Sequence, residues 1–355
     1  MRKFLIINPF GIGDVLFTTP VIRAIKEADA QNTVSYWCNE RVKAVLENNP
    51  NIDKIFALSR GDLKKIYQDS GIEGTQRFFS LLQKLKKERF DVAIDYSLDH
   101  RYSLICKILG IRKRIGYNYK KRGLFLTGKI DLDGYSKKHI VEYYLSLLKL
   151  IDIPAKSKNL ELFVSEHPLS RIRNILRYEG VKDKDLIIGI APGAGGSWGK
   201  EAKLKHWAPL KFAELADDLT DRLGARILIL GDASERDIAD IIVAAMKHRP
   251  IDLVGKTKLE ELTAAIKCTR LLITNDGGPL HMAVALGVRT VSIFGPVDEK
   301  VYGPYPVGSE HIVIKKDLPC RPCYKKFRMP LCDHERECIK AISVAEVFEA
   351  VRRLV

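Results

Sequence analysis

The chain has 355 residues, 46% of them apolar and 29% charged, the make-up of a globular protein with room for two domains of ordinary size. No run approaches the ~18 apolar residues of a membrane span, and Asn8, Pro9, Gly11 and Asp14 break the N-terminal apolar stretch too early for a signal-peptide core, so a cytoplasmic protein is expected. The 59 Lys and Arg outnumber the 44 Asp and Glu, leaving +15, which predicts an acidic partner: a phosphorylated substrate, an anionic membrane face or nucleic acid.

Phe4 to Ile7 reads as a first buried strand, and Asn8–Pro9–Phe10–Gly11–Ile12–Gly13–Asp14 as the turn that follows it. Val15 to Ala28 then reads as a helix with an early proline at Pro20. Asp14 has two readings: a helix cap, or a carboxylate that takes a proton from an attacking hydroxyl. Thr33 to Trp37, Ile55 to Ala57 and Val92 to Ile94 are further short strands. Gln76 to Glu88 is an amphipathic helix with Phe78, Leu81, Leu82 and Leu85 on one side. Arg112 to Arg122, RKRIGYNYKKR, holds six basic residues and no acidic one. It reads either as a solvated loop or as an anion-binding patch. Val141 to Ile151 is a helix that closes the first half.

Ile153 to Lys158 has linker composition, and the strand–helix alternation then restarts. Pro168 to Tyr178 is a helix and Leu186 to Ile190 a strand. A glycine-rich turn follows at Ala191–Pro192–Gly193–Ala194–Gly195–Gly196–Ser197, with Lys205–His206–Trp207 just beyond and a helix expected from Trp207 to Leu223. Its glycines permit backbone contact with an oxyanion. Arg226 to Leu230 is a strand ending at Gly231–Asp232–Ala233–Ser234–Glu235, where Glu235 is either a ribose-binding acid or ordinary first-turn helix charge. Ala233 to Met246 and Leu259 to Ile266 are helices.

Leu271 to Pro296 is the densest stretch. A strand at Leu271 to Thr274 meets Asn275–Asp276–Gly277–Gly278–Pro279, then a helix to Leu286 and a strand from Thr290 to Phe294. A glycine turn between a strand's carboxyl end and a helix's amino end, where free N–H groups and the helix dipole meet, favours an anion. His281 sits in that helix's first turn, as packing or as a donor to a leaving group. Four late cysteines, Cys320, Cys323, Cys332 and Cys338, have the spacing C-x2-C-x8-C-x5-C. Free thiols, a structural metal such as zinc, and a disulfide all stay open for them. Ser343 to Leu354 is a final amphipathic helix. No sequence repeat relates the halves.

Three separated motifs, Gly13–Asp14–Val15, Pro192–Gly193–Ala194 with Lys205–His206–Trp207, and Thr274 to Pro296, together resemble glycosyltransferase family nine, the ADP-heptose:lipopolysaccharide heptosyltransferases. The resemblance spans nearly the whole chain and extends to Cys320–Arg321–Pro322–Cys323. It implies an α/β protein of GT-B architecture, two doubly wound Rossmann-like domains facing a central cleft. Residues 1–155 would hold the acceptor and 156–340 the nucleotide sugar, with a C-terminal helix in 341–355 that packs back toward the first domain. It implies inverting, metal-independent transfer of heptose from ADP-heptose to a lipopolysaccharide inner-core acceptor, with no catalytic cofactor. By position, Asp14 matches the general base. Gly193, Ala194, Lys205, Glu235, Asp276, Gly277, Gly278 and His281 match the nucleotide-sugar site. Gly13, Arg112, Arg114, Lys120, Lys121 and Arg122 become candidates for an anionic glycolipid acceptor, which sets the protein peripherally on the cytoplasmic face of the inner membrane. Other readings are a different sugar or acceptor, a sugar-nucleotide epimerase on the same scaffold, and a non-catalytic binding protein. Nucleic acid is not expected, because the basic run carries no reading helix or stacking motif.

Overall fold

The computed structural model describes residues 1–58, 60–194 and 196–355, and the side chains of Arg60, Leu63, Lys65, Ser197, Trp198 and Lys200 also lie outside what is described. The chain divides into two compact units, Met1–Glu161 and Leu162–Val355.

In the first unit, β1 (Lys3–Ile7), β2 (Thr33–Cys38), β3 (Lys54–Ala57), β4 (Val92–Asp95), β5 (Lys113–Tyr119) and β6 (Gly128–Leu132) form one parallel sheet in the order β3-β2-β1-β4-β5-β6. Such strands need apolar residues on both faces, because crossover helices cover both. Phe4, Leu5, Ile6 and Ile7 are all fully buried. One face packs Leu5, Ile7, Trp37 and Ala93 against Leu81 and Leu85 of the helix Gly71–Glu88.

In the second unit, β7 (Ile187–Ala191), β8 (Arg226–Ile229), β9 (Ile251–Asp252), β10 (Leu271–Asn275), β11 (Arg289–Ile293) and β12 (His311–Ile314) form a second parallel sheet in the order β12-β11-β10-β7-β8-β9. Numbered within its own unit, this is the first sheet's order again. The duplication left no trace in the sequence, because a parallel sheet constrains polarity pattern and not identity. The order reverses between β1 and β4 in one sheet and between β7 and β10 in the other. At such points neighbouring crossovers leave toward opposite faces and open a crevice at the strands' carboxyl ends. The C-terminal helix, Val344–Arg352, is built into the second unit's core rather than standing as a separate segment: Val347, Phe348 and Val351 are buried with Phe212, Leu215 and Leu219.

Several elements differ from the sequence reading. The helix expected from Val15 to Ala28 is two, Ile12–Leu16 and Thr19–Ala28. Pro20 has no N–H to donate, so it opens the second helix instead of continuing the first, while the Thr18 and Thr19 hydroxyls donate to Val15 O and Leu16 O. The helix expected from Trp207 begins at Pro209 for the same reason. Ahead of it, Gly196–Lys205 is wound as 3-10 turns interrupted at Gly199, whose φ of 55° suits glycine. The second glycine turn therefore does not lead straight into an α-helix N-terminus. The basic run is not a loop: Lys113–Tyr119 is β5, with Ile115, Tyr117 and Tyr119 buried at alternate positions.

Candidate functional site

The second sheet's reversal point is built around Asn275, the last residue of β10, which is fully buried. Its Nδ2 donates to Pro192 O at 2.6 Å and its Oδ1 accepts the Trp207 N–H at 3.1 Å. One side chain thus joins the turn after β7, the end of β10 and the segment carrying Lys205. Trp207, 1% exposed, is fixed from the other side by its indole N–H on Ile342 O at 3.0 Å. Lys205 Nζ lies 2.7 Å from Asp276 Oδ2, with side-chain exposures of 4% and 6%. That Oδ2 makes the ion pair without a well-directed hydrogen bond. Gly277 is extended, and Gly278 and Pro279 open the helix Gly278–Ala285, whose first N–H groups have no partner within the helix. His281, 5% exposed, lies in that first turn.

The turn after β7 closes against the turn after β8. A Cβ on Gly193 would lie 1.5 Å from Glu235 Oε1, and one on Gly231 would lie 2.5 Å from Oε2, so both glycines are needed to seat that carboxylate. Glu235 Oε2 accepts the Asp232 N–H at 3.1 Å. Burial, and then the negative charge of Asp232, push Glu235 up to about 7. His206, next to Lys205, has its ring hydrogen-bonded to the backbone of Ala194 and is held below its usual value by burial and by the Arg336 and Lys205 charges. Gly193, Ala194, Lys205, Glu235, Asp276, Gly277, Gly278 and His281 therefore share one sheet edge. Gly195, also part of the expected cradle, lies outside the described residues.

At the first sheet's reversal point the arrangement is different. Asn8, fully buried, donates to Asp14 O at 3.0 Å and accepts the Phe10 N–H at 3.2 Å. Asp14 lies in the first turn of Ile12–Leu16, half-buried, and its Oδ2 accepts the Gly11 N–H at 3.3 Å. The carboxylate caps its own helix and still reaches solvent. Gly13 is inside the helix, beside it. Buried Tyr36 and Tyr144 have their hydroxyls raised well above the usual range by burial, and the Asp14 charge adds to both. Across the reversal point, Asp95 ends β4 fully enclosed; burial pushes its carboxyl up to about 7, against the Ser97 N–H it accepts at 2.9 Å.

The basic run is divided. Arg112 precedes β5 at its amino end. Arg114 spends its guanidinium on the Phe125, Ile111 and Arg112 carbonyls. Lys120, Lys121 and Arg122 are exposed in the turn at the carboxyl end, with Lys120 over the Tyr119 ring at 5.0 Å. The structure does not bring the two groups together. All seven cysteines are free thiols, and among the described residues no three His, Cys, Asp or Glu side chains are arranged to hold a metal ion. No described helix is long and apolar enough to cross a membrane.

Asn8, Asn275 and Asp95 were not singled out from sequence. The two asparagines stand at the carboxyl ends of buried strands, Asn8 just after β1 and Asn275 as the last residue of β10, and each precedes a glycine turn, which is the signal that would have marked them.

Two doubly wound units, one of them with a cation and a helix N-terminus at its reversal point, are the layout of a GT-B glycosyltransferase. Comparison with known proteins agrees. The family model for glycosyltransferase family 9 (heptosyltransferase) matches residues 78–331, and the chain belongs to that family. It is 29% identical over 360 residues to lipooligosaccharide heptosyltransferase 2 of Campylobacter jejuni, covering 99% of this chain and 98% of the relative. Among solved structures, a family 9 glycosyl transferase from Veillonella parvula superposes with a TM-score of 0.85 at 24% identity, covering 99% of this chain and 97% of that one. An Escherichia coli heptosyltransferase solved with ADP-2-deoxy-2-fluoro heptose superposes with a TM-score of 0.73 at 16% identity, covering 99% and 100%.

Proposed function

We propose that this glycosyltransferase moves a heptose from ADP-heptose to a sugar of the lipopolysaccharide inner core, with inversion and without a metal. The observation that carries the reading is the Lys205–Asp276 pair, sunk beside the Gly277–Gly278 helix start. A buried ammonium is costly unless paired, and a diphosphate is a stronger partner than one carboxylate. On donor binding, Lys205 turns to the diphosphate and Asp276 is released to accept a sugar hydroxyl. Glu235, over Gly193 and Gly231, accepts from the ribose hydroxyls.

In the transfer step the acceptor hydroxyl gives its proton to the Asp14 carboxylate. Its oxygen attacks the anomeric carbon from the face opposite the diphosphate. The bond from that carbon to the diphosphate oxygen breaks with its electron pair, and ADP leaves. Lys205, His281 and the helix N–H groups take up the charge that develops on the departing oxygen. The acceptor belongs to the first unit, and Lys120, Lys121 and Arg122 suit its phosphate and carboxylate groups. A glycolipid acceptor also calls for peripheral attachment at the inner membrane's cytoplasmic face.

The test is mass spectrometry of a truncated lipopolysaccharide incubated with purified chain and ADP-heptose, with a panel of other nucleotide sugars alongside. A mass gain of one heptose, with inverted anomeric configuration by NMR, is expected. Transfer only from another donor would overturn the choice of sugar, and release of free sugar without acceptor would overturn transfer itself.

A further inference from the structure

The helix Gly71–Glu88 turns Gly74, Leu81 and Leu85 toward its sheet and buries them. At about 100° per residue, the stripe on the opposite side passes through Ile72, Phe79 and Lys86. Polar side chains are expected there, yet Ile72 is 75% and Phe79 58% exposed. A single exposed apolar residue is ordinary; two on one stripe, joined by a third that the fold holds in place, are not. The third is Tyr67, 46% exposed, on the preceding helix Arg60–Asp69. Its ring lies over Gly74, where a Cβ would come within 3.2 Å of it, and its hydroxyl accepts the Thr75 hydroxyl at 3.2 Å. Ile72 and Phe79 line a shallow depression whose other side chains, Thr75, Gln76, Ser80 and Gln83, carry no charge.

The charge along this helix has one sign. Gly74 to Lys87 contains four basic residues and no acidic one. The two acids that flank the run are spent on neighbours: Glu73 pairs with Arg77 at 2.9 Å and Glu88 with Lys54 at 2.8 Å. Lys84, Lys86 and Lys87 are left exposed. An apolar stripe that runs into lysines complements acyl chains beneath anionic headgroups. A second copy of the same face would set lysine against lysine. The direction of the helix is fixed as well. Lys3 Nζ donates to Glu88 O at 3.2 Å, and Lys3 and Lys54 open β1 and β3. The helix therefore ends at the amino edge of its sheet, and its Ile72 end lies toward the carboxyl edge, the edge that carries Asp14.

We propose that the outer face of the helix Gly71–Glu88 docks on an anionic phospholipid bilayer. The helix lies along the surface with Ile72 and Phe79 among the acyl chains and the amphipathic Tyr67 ring at headgroup level. Lys84, Lys86 and Lys87 lay their stems on the apolar boundary and set their ammonium groups on lipid phosphates. Docked in this way, the carboxyl edge of the first unit meets a lipid-borne acceptor at the bilayer surface. That consequence rests on the transfer reading above; the docking face does not.

The test is sedimentation of the full chain with vesicles of phosphatidylcholine alone or of phosphatidylcholine mixed with phosphatidylglycerol. Binding is expected to the mixed vesicles and to weaken as salt rises. Ile72→Ser combined with Phe79→Ser, at exposed positions outside the core, should lower the partition roughly tenfold or more with circular dichroism unchanged. Serine at Lys84, Lys86 and Lys87 together should lower it several-fold at low salt. Tyr178→Ser, which removes a more exposed ring from the second unit, should change nothing. Undiminished partition of the Ile72 and Phe79 double variant, equal binding to the two kinds of vesicle, or a wild-type dimer that the double variant dissolves would each overturn the docking face. In the transfer assay, the double variant should raise KM several-fold for acceptor embedded in mixed vesicles and leave it unchanged for the same acceptor stripped of its acyl chains. An unchanged KM for both would overturn the bearing of this face on the reaction, whereas no transfer by the wild type to either form would count against the transfer reading alone.

Discussion

The two sheets share one strand order, and each places a buried asparagine at its reversal point, yet the two edges do opposite things. Asn8 bonds to Phe10 and Asp14 in its own turn and to Trp37 and Tyr36 on β2, and Asp14 stays half-exposed beside it. Asn275 bonds to Pro192 and Trp207, and a cation and an anion, Lys205 and Asp276, are buried beside those residues. The first edge presents a half-exposed carboxylate. The second holds a buried ion pair next to the start of the helix Gly278–Ala285. The lesson is that the scaffold supplies the same reversal point twice, and the side chains set there decide what it presents: a half-exposed carboxylate in one unit, a buried ion pair beside a helix start in the other.

If the first edge only presents a base, removing that base should stop turnover and leave the second edge untouched. Asp14→Asn keeps the size and a hydrogen-bonding oxygen for Gly11. It should lower kcat by ~10²–10⁴, the range of general-base catalysis, with ADP affinity by calorimetry unchanged. Equal loss of ADP binding would show the two edges to be one coupled site.

The second edge should fail differently. Lys205→Met leaves the Asp276 carboxylate buried without its cation, which costs about 3–5 kcal/mol when one partner of such a pair is removed. Thermal melting should fall and ADP binding should be lost. Adding Asp276→Asn should recover most of the melting temperature and none of the binding. If the double variant melts as low as the single one, the pair is not what holds this edge.

The edges also share a feature that pH can read. Asp95 on the first and Glu235 on the second are each pushed up to about 7 by burial. A carboxyl whose folded value lies above its unfolded one binds more protons in the folded state. Its stabilising contribution is complete below pH ~4 and is lost as pH rises through 7. Thermal stability should therefore decline from pH 5 to pH 8. Glu235→Gln and Asp95→Asn should each flatten the decline, raising the melting temperature at pH 8 by a few degrees at about 2–4 °C per kcal/mol. A profile that rises over this interval would show that both acids are ionised in the folded protein.

Much of this contrast could be read in the chain before folding. The apolar runs marked most of the central strands, and the glycine turns after β1, β7 and β10 marked both edges, because those features depend on residues close in sequence. The starts of two helices were missed where Pro20 and Pro209 were passed over as tolerated interior or early residues instead of first-turn signals. The strand β5 was hidden because charges at Lys113 and Arg114 mask the alternation of Ile115, Tyr117 and Tyr119. What sequence could not show is the work of Asn275, whose partners Pro192 and Trp207 lie 83 and 68 residues away along the chain. Nor could it show the notch that Gly193 and Gly231 make for Glu235, since two turns must meet before it exists.

The smallest expected effect concerns the basic run, and it separates the acceptor reading from plain surface charge. Arg112 and the Lys120–Arg122 turn lie at opposite ends of β5, about 23 Å apart at ~3.3 Å per residue. Only the turn shares the carboxyl edge with Asp14, because every strand of that sheet is parallel. Neutralising Lys120, Lys121 and Arg122 together as serine should raise the acceptor KM several-fold at low salt, with kcat and ADP affinity unchanged. The difference from wild type should shrink as salt screens the exposed charges. Arg112→Ser should leave the acceptor KM within error, although it removes a similar charge from the same eleven-residue run. If Arg112→Ser raised KM as much as each turn substitution did, general attraction between a basic protein and an acidic glycolipid would account for the run. A gap between the two would assign acceptor contact to the carboxyl edge.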